Sequence, residues 1–235
     1  MSKAGNETFY QRFGKRAIDL VLSLLLLVLF WWVLAIVAVL VRVKLGSPVL
    51  FKQSRPGKDE KIFDLYKFRT MTDEHDENGD LLSDEIRLTK FGKALRATSL
   101  DELPEVLNIV KGEMAIIGPR PQLVRDMVFM TPEQRRRHTV RPGLSGLAQV
   151  NGRNAIAWDD KLAYDLEYLR DISFVNDIKI FFKTISKAFV KQEGISEEGM
   201  APAADFGDYL LSEGRVSENE YNMRQAEAKM LLAGV

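Results

Sequence analysis

The run from Leu20 to Val41, 22 residues interrupted only by Ser23, constrains this chain more than any other feature. As a helix rising 1.5 Å per residue it is about 33 Å long, enough to cross the hydrocarbon core of a bilayer. It has no small-residue cleavage pattern behind it and is followed at once by Arg42 and Lys44, so a retained anchor is expected rather than a removed signal peptide. Basic residues lie on both sides, with Lys3, Arg12, Lys15 and Arg16 before the run and Arg42, Lys44, Lys52 and Arg55 after it. Positive-inside counting therefore gives no direction. We expect a re-entrant segment with both flanks on the cytoplasmic side, and a straight span is the alternative. Re-entry calls for a break inside the membrane, yet there is no Pro or Gly between Leu20 and Val41. Trp31 and Trp32 stand mid-run, where a straight span would place the indoles far from the interface they prefer.

Charge sets the next bound. Thirty-three basic residues balance 33 acidic ones in 235, so the chain has no net attraction for nucleic acid, and any anion site must be local. The absence of cysteine rules out a disulfide, a thiolate nucleophile or a thiolate metal site. His75 and His138 are far apart in sequence, which makes a histidine-based metal centre or triad a poor expectation.

Three regions are expected: an anchor at 1–45, a catalytic domain at 46–200 and an appendage at 201–235 that could serve a homo-oligomer. The fold class is α+β, mostly helical with one small hairpin. Val49 to Gln53 reads as a strand ended near Pro56-Gly57, with Ile62 to Met71 as its partner, so that Lys67 and Arg69 share a face. The acidic stretch from Thr72 to Glu85 reads as a loop. It falls short of a calcium loop, because Glu74 takes the first ligand position and apolar Leu82 the ninth. Phe174 to Lys191 places Phe174, Ile178, Phe181, Phe182, Ile185 and Phe189 on one helical face edged by lysines. Arg87 to Arg96 repeats the pattern with Leu88, Phe91 and Leu95. Both suit helices lying on lipid, and both equally suit helices packed on a core. The tail's last helix is expected to begin at a capping box, Ser217 to Glu220.

Chemistry concentrates in Ser99-Leu-Asp101-Glu102-Leu-Pro104. Ser99 with Glu102 spells a capping box, which would explain the segment structurally. The functional reading uses the same helix start. Free amides there attract phosphate, and adjacent carboxylates could divide the work, one attacking phosphorus and the other holding Mg²⁺. Anion-binding candidates sit in Gly118-Pro-Arg120-Pro, Arg141-Pro-Gly and Asn151-Gly-Arg153-Asn, where Pro and Gly fix the backbone around a guanidinium fork. Arg135-Arg136-Arg137-His138 reads as a solvated helix face or a headgroup contact.

Lys67-Phe-Arg69-Thr-Met71, Ser99 to Pro104, Gly118 to Pro121, Arg141 to Gly143 and Ala148 to Asn154 occur in the order seen in bacterial sugar transferases. From Phe13 to Gly199 the chain resembles the small, PglC-like monotopic phosphoglycosyl transferases of that family. The resemblance implies transfer of a sugar-1-phosphate from a UDP-sugar to a polyprenyl (undecaprenyl) phosphate, with release of UMP and a requirement for Mg²⁺. It implies Asp101 as the nucleophile that forms an aspartyl-phosphosugar and Glu102, beside Asp101, as the metal ligand. By the same token Lys67, Arg69, Arg96, Arg120, Arg141 and Arg153 become phosphate or nucleotide contacts, and Asp165 and Asp177 match acidic positions of no stated role. It also implies a bacterial inner-membrane enzyme in contact with membrane lipids, with its catalytic part on the cytoplasmic face. The Ser-Pro pair usual midway along the hydrophobic segment is replaced here by Trp31-Trp32. A catalytically silent scaffold for glycan-assembly enzymes and an aspartyl-phosphate phosphatase are the competing readings.

Overall fold

An unbroken run of apolar residues with no Pro or Gly has every reason to stay helical, and it does. The computed structural model describes residues 8–152, 156–189 and 204–234. After a π-helical turn at Tyr10–Gly14, helix α1 (Lys15–Leu45) is continuous for 31 residues, about 46 Å, and passes through Trp31 and Trp32 without interruption. The break expected of a re-entrant segment is therefore not present in α1. Its lipid-compatible outer face carries Leu24, Leu25, Val28, Leu29, Trp31, Trp32, Ile36 and Val39, all exposed, whereas Asp19, Ser23, Val37, Val41 and Leu45 are buried along the other side.

The chain divides into two compact units: Met1–Asp19, Ser54–Phe63 and Gly112–Val235 form one, and Leu20–Gln53 with Asp64–Lys111 form the other. Strands β1 (Leu50–Pro56) and β2 (Ile62–Phe68) pair as the expected small sheet. In the second unit, α2 (Asp84–Arg87) and α3 (Lys90–Ala97) are separate helices, because Leu88 is extended and Thr89 starts α3 by accepting a hydrogen bond from the Gly92 amide. Leu95 is buried and Phe91 packs beside it, in a core with Val37, Val41, Leu45 and Phe68. The apolar side of Arg87 to Arg96 thus faces protein, not lipid. Helix α4 (Glu105–Lys111) completes this unit.

In the first unit, β3 (Ala115–Ile117) and β4 (Gly143–Ser145) form a parallel pair that sequence alternation could not signal, since each is three residues long. Short helices α5 (Val124–Met127) and α6 (Pro132–Arg135) lie between them, followed by α7 (Leu147–Asn151), α8 (Trp158–Arg170) and α9 (Phe174–Phe189). Helix α9 does have an apolar outer face: Phe174, Val175, Ile178, Phe181, Phe182 and Ile185 are exposed, while Asp177 and Ile180 are buried. The expected Lys191 end lies outside the described residues. The tail helices α10 (Phe206–Ser212) and α11 (Glu218–Ala233) are built into this unit rather than appended to it. Phe206, Leu210 and Ala228 share a core with Met127, Phe129, Trp158 and Leu162, each large side chain contributing about 1.5–3 kcal/mol by burial. Ser217 caps α11 by accepting from the Glu220 amide at 3.2 Å.

Candidate active site

Asp101 and Glu102 lie in a 3-10 turn, Leu100–Glu102, between α3 and α4. Ser99 enters it with φ 55° and ψ 19° and makes no side-chain capping bond, so the capping box spelled by the sequence does not form. A left-handed conformation is uncommon for a residue with a Cβ and stores about 1 kcal/mol of strain. It turns the chain sharply after α3 and buries Asp101, which is 8% exposed. Burial raises the Asp101 pKa above the usual carboxylate value, and the neighbouring charge of Glu102 raises it further, while Lys67, Arg96 and the residue's own backbone amide oppose both.

The cationic partners come from the end of β2 and from α3. Lys67 Nζ lies 2.7 Å from Glu102 Oε1 and 3.2 Å from Glu105 Oε1. Arg96 Nε donates to Thr70 Oγ1 at 3.1 Å. Close approach of α3 to this segment depends on Gly92, where a Cβ would sit 1.8 Å from the Thr70 carbonyl oxygen. Arg69 is buried and engaged locally: it donates to the carbonyls of Met71 and Ser47, both at 2.8 Å, and pairs with Asp73 at 2.7 Å. Its geometry is that of a brace. Two residues that pattern reading passed over complete the setting. Glu105 is buried, and Asn108, fully buried three residues on, accepts from the Tyr66 amide at 3.1 Å and donates to the Asp64 carbonyl at 2.7 Å. Polar residues amid the buried Val106 and Ile109 were the available signal.

Arg120 and Arg141 belong to the other unit. There the β3–β4 pairing brings their two motifs side by side. Gly118 N donates to Ser145 O at 2.8 Å and Gly143 N to Pro119 O at 2.9 Å. A Cβ on Gly143 would lie 2.1 Å from Gly118 N, so only glycine permits the crossing. Arg141 Nε donates to the Gly112 carbonyl at 2.7 Å. The Arg120 carbonyl accepts from Arg137, which pairs with Asp165 in the interior. This corrects the solvated reading for Arg137 and His138, whereas Arg136 is exposed as expected. Thr131 and Gln134 form a reciprocal cap that starts α6, Arg135 pairs with Glu60, and Arg137 and His138 are buried. Burial, then the charge of Arg137, pushes the His138 pKa down to about 3, so its imidazole is neutral. Asp177 accepts from Tyr10 at 2.6 Å and Tyr168 at 2.8 Å and pairs with Lys15 at 2.5 Å, which ties α9 to the chain just ahead of the apolar run. Arg153 lies outside the described residues.

Residues 10–191 match the bacterial sugar transferase family. Over 192 residues, 82% of this chain and 95% of the relative, the sequence is 47% identical to an uncharacterized sugar transferase, EpsL, of Bacillus subtilis. It is 38% identical to a UDP-glucose:undecaprenyl-phosphate glucose-1-phosphate transferase of Klebsiella pneumoniae, across 76% of this chain and 40% of that enzyme. It is 37% identical to a UDP-N-acetylgalactosamine-undecaprenyl-phosphate N-acetylgalactosaminephosphotransferase of Aeromonas hydrophila, across 74% of this chain and 43% of the relative. The chain thus spans about two fifths of the length of these two enzymes.

Proposed function

Because the chain belongs to the bacterial sugar transferase family, we propose that it moves a sugar-1-phosphate from a UDP-sugar to polyprenyl (undecaprenyl) phosphate and releases UMP. The observation that carries this reading is the Asp101 carboxylate: desolvated, crowded by Glu102 and faced by cations from two elements. An Asp101 oxygen attacks the sugar-bearing phosphorus, a P–O bond to that oxygen forms, and the P–O bond to UMP breaks with its electron pair leaving on UMP. A phosphate oxygen of the lipid then attacks the same phosphorus, and the Asp101 carboxylate is regenerated. Two displacements let a water-soluble donor leave before a lipid acceptor arrives. Partial desolvation strengthens Asp101 as a nucleophile, and the charges of Lys67 and Arg96 favour its ionised form. Arg120, Arg141 and Arg153 are proposed as phosphate or nucleotide contacts on the strength of the family alone.

The donor set fits Mg²⁺. Glu102 and Asp101 offer adjacent hard oxygens, and the Lys67 ammonium between Glu102 and Glu105 marks the place as one that attracts a cation. Among the described residues no cluster of three or more acidic or histidine side chains could enclose an ion. That suits a cation taking one or two carboxylates and filling its shell with water and substrate phosphates. Bound there, Mg²⁺ would neutralise diphosphate charge and assist the leaving nucleotide.

We also place the enzyme on the cytoplasmic face of the inner membrane as a monotopic protein. Tyr10 and Lys15 are held by Asp177, and Asp19 Oδ1 accepts from the Ile116 amide at 3.1 Å, so the N-terminal flank of the apolar run stays with residues 112–235. The other flank packs through Val37, Val41 and Leu45. The family resemblance supplies the placement of both flanks on one side. Trp32 Nε1 donates to the Leu29 carbonyl at 3.0 Å, which satisfies that indole within the helix and lets it face lipid.

The test is Mg²⁺-dependent UMP release by the lipid-solubilised protein, given undecaprenyl phosphate and a panel of UDP-sugars. We expect release with at least one sugar and none from Asp101→Asn. Substantial turnover by that variant refutes the nucleophile. No release from folded native protein across the panel favours the silent scaffold, and phosphate release without the lipid favours the phosphatase.

A further inference from the structure

Helix α4 grips the end of β2 at two points. Asn108 holds the backbone on either side of Leu65, through Asp64 O and Tyr66 N, and one turn earlier Glu105 meets the side chain of Lys67. The strand end is therefore fixed, and the position of the Lys67 ammonium depends on which carboxylate attracts it. It lies between two, 2.7 Å from Glu102 and 3.2 Å from Glu105. Glu102 is partly exposed, with 21% of its side chain accessible, while Glu105 is 2% accessible. The outer carboxylate can turn toward a ligand and the inner one cannot.

We infer that Glu105 is a positioning residue that keeps Lys67 beside the dyad when Glu102 turns to a metal–diphosphate, so that lysine and metal do not compete for one carboxylate. This rests on the reading of Glu102 as the metal-binding carboxylate. A cation shared by two carboxylates is held less tightly by either one than a cation bound to a single partner, because part of its field is already neutralised. Without the Glu105 carboxylate, Lys67 settles on Glu102 and must be displaced before the metal enters. With that carboxylate in place, Lys67 has a second partner and stays near enough to face the charge that develops on the transferred phosphoryl group. The arrangement separates the two cations that the reaction uses by giving each its own acid.

The test is a double-mutant cycle on the full-length protein in nanodiscs, with Mn²⁺ alone as the probe and free Mn²⁺ followed by electron paramagnetic resonance, with no turnover required. Glu105→Gln is expected to raise the half-saturating Mn²⁺ concentration about tenfold in the native background and less than twofold in a Lys67→Met background, since Glu105 acts through Lys67. Glu105→Asp, which keeps the charge but shortens its reach, is expected to fall between, about threefold, and serves if the glutamine variant fails to fold. Equal weakening in both backgrounds would make Glu105 a direct ligand or a diffuse charge and overturn the inference. No change in the native background would overturn it as well. UMP release by native protein, measured alongside, tests the transferase reading separately, because the Mn²⁺ cycle is read without substrate.

Discussion

Replacing Asp165 with asparagine removes one half of an ion pair that has almost no access to water. Arg137 Nε and one terminal nitrogen lie 2.8 and 2.7 Å from Asp165 Oδ2, with the side chains 1% and 2% accessible. The same guanidinium donates to the Arg120 carbonyl at 2.5 Å, so it also fixes the loop that carries Arg120. Asp165→Asn leaves a buried guanidinium without a counter-charge, a change that costs about 3–5 kcal/mol. For a chain of this length each kcal/mol lowers the melting temperature by about 2–4 °C, so a drop of about 6–20 °C is expected. The double variant Arg137→Met/Asp165→Leu replaces the pair with apolar groups and forfeits mainly the bond to Arg120. It should regain more than half of that loss while still releasing UMP more slowly than native protein. Melting followed by circular dichroism in detergent, with UMP release measured on the same preparations, decides the matter. A loss below 2 °C in the single variant, or a double variant as unstable as the summed singles, would refute the assignment of a buried, mutually dependent pair.

Asp101 yields a pH prediction. Its folded pKa is raised, so the folded state holds that proton more tightly than the unfolded chain, and the ionised carboxylate costs stability at pH above both values, a cost that shrinks as pH falls below the folded value and is gone below the unfolded one. Asp101→Asn should therefore melt higher than native protein at neutral pH and lose that advantage on acidification; an advantage that grows toward acid would contradict the burial argument. Topology is testable because the chain has no cysteine. Single cysteines at Lys3→Cys and Asp160→Cys should both react with an impermeant maleimide in inside-out vesicles and neither in right-side-out ones, whereas labelling of position 3 from the opposite side would establish a span.

The apolar anchor was legible because an uninterrupted 22-residue run has few alternatives, and the hairpin because turn residues bracket it. The amphipathic pattern was ambiguous for a physical reason. Helices α3 and α9 carry the same spacing; Phe68 and Val41 pack against the apolar face of one, while the apolar face of the other is exposed among the described residues. Periodicity does not encode the neighbour. Arg137 read as solvated because its partner, Asp165, lies 28 residues away and no local pattern joins them. The Asp101-Glu102 motif stood out in the sequence, yet its setting did not, since Ser99 spells a cap and adopts a left-handed turn instead. The tail looked separate because Phe206, Leu210 and Ala228 are scattered single contacts rather than a run.

The bonds that hold the start of α1 have a consequence for synthesis. Lys15 pairs with Asp177, 162 residues later, and Asp19 with Ile116, 97 residues later. At about 5–20 residues per second, the helix leaves the ribosome roughly 8–30 s before Asp177 exists to receive it. During that interval the whole apolar surface, including the side later covered by protein, must be sheltered by lipid or by a chaperone. Synthesis through Ile116 and then Asp177 supplies the partners that take up Asp19 and Lys15.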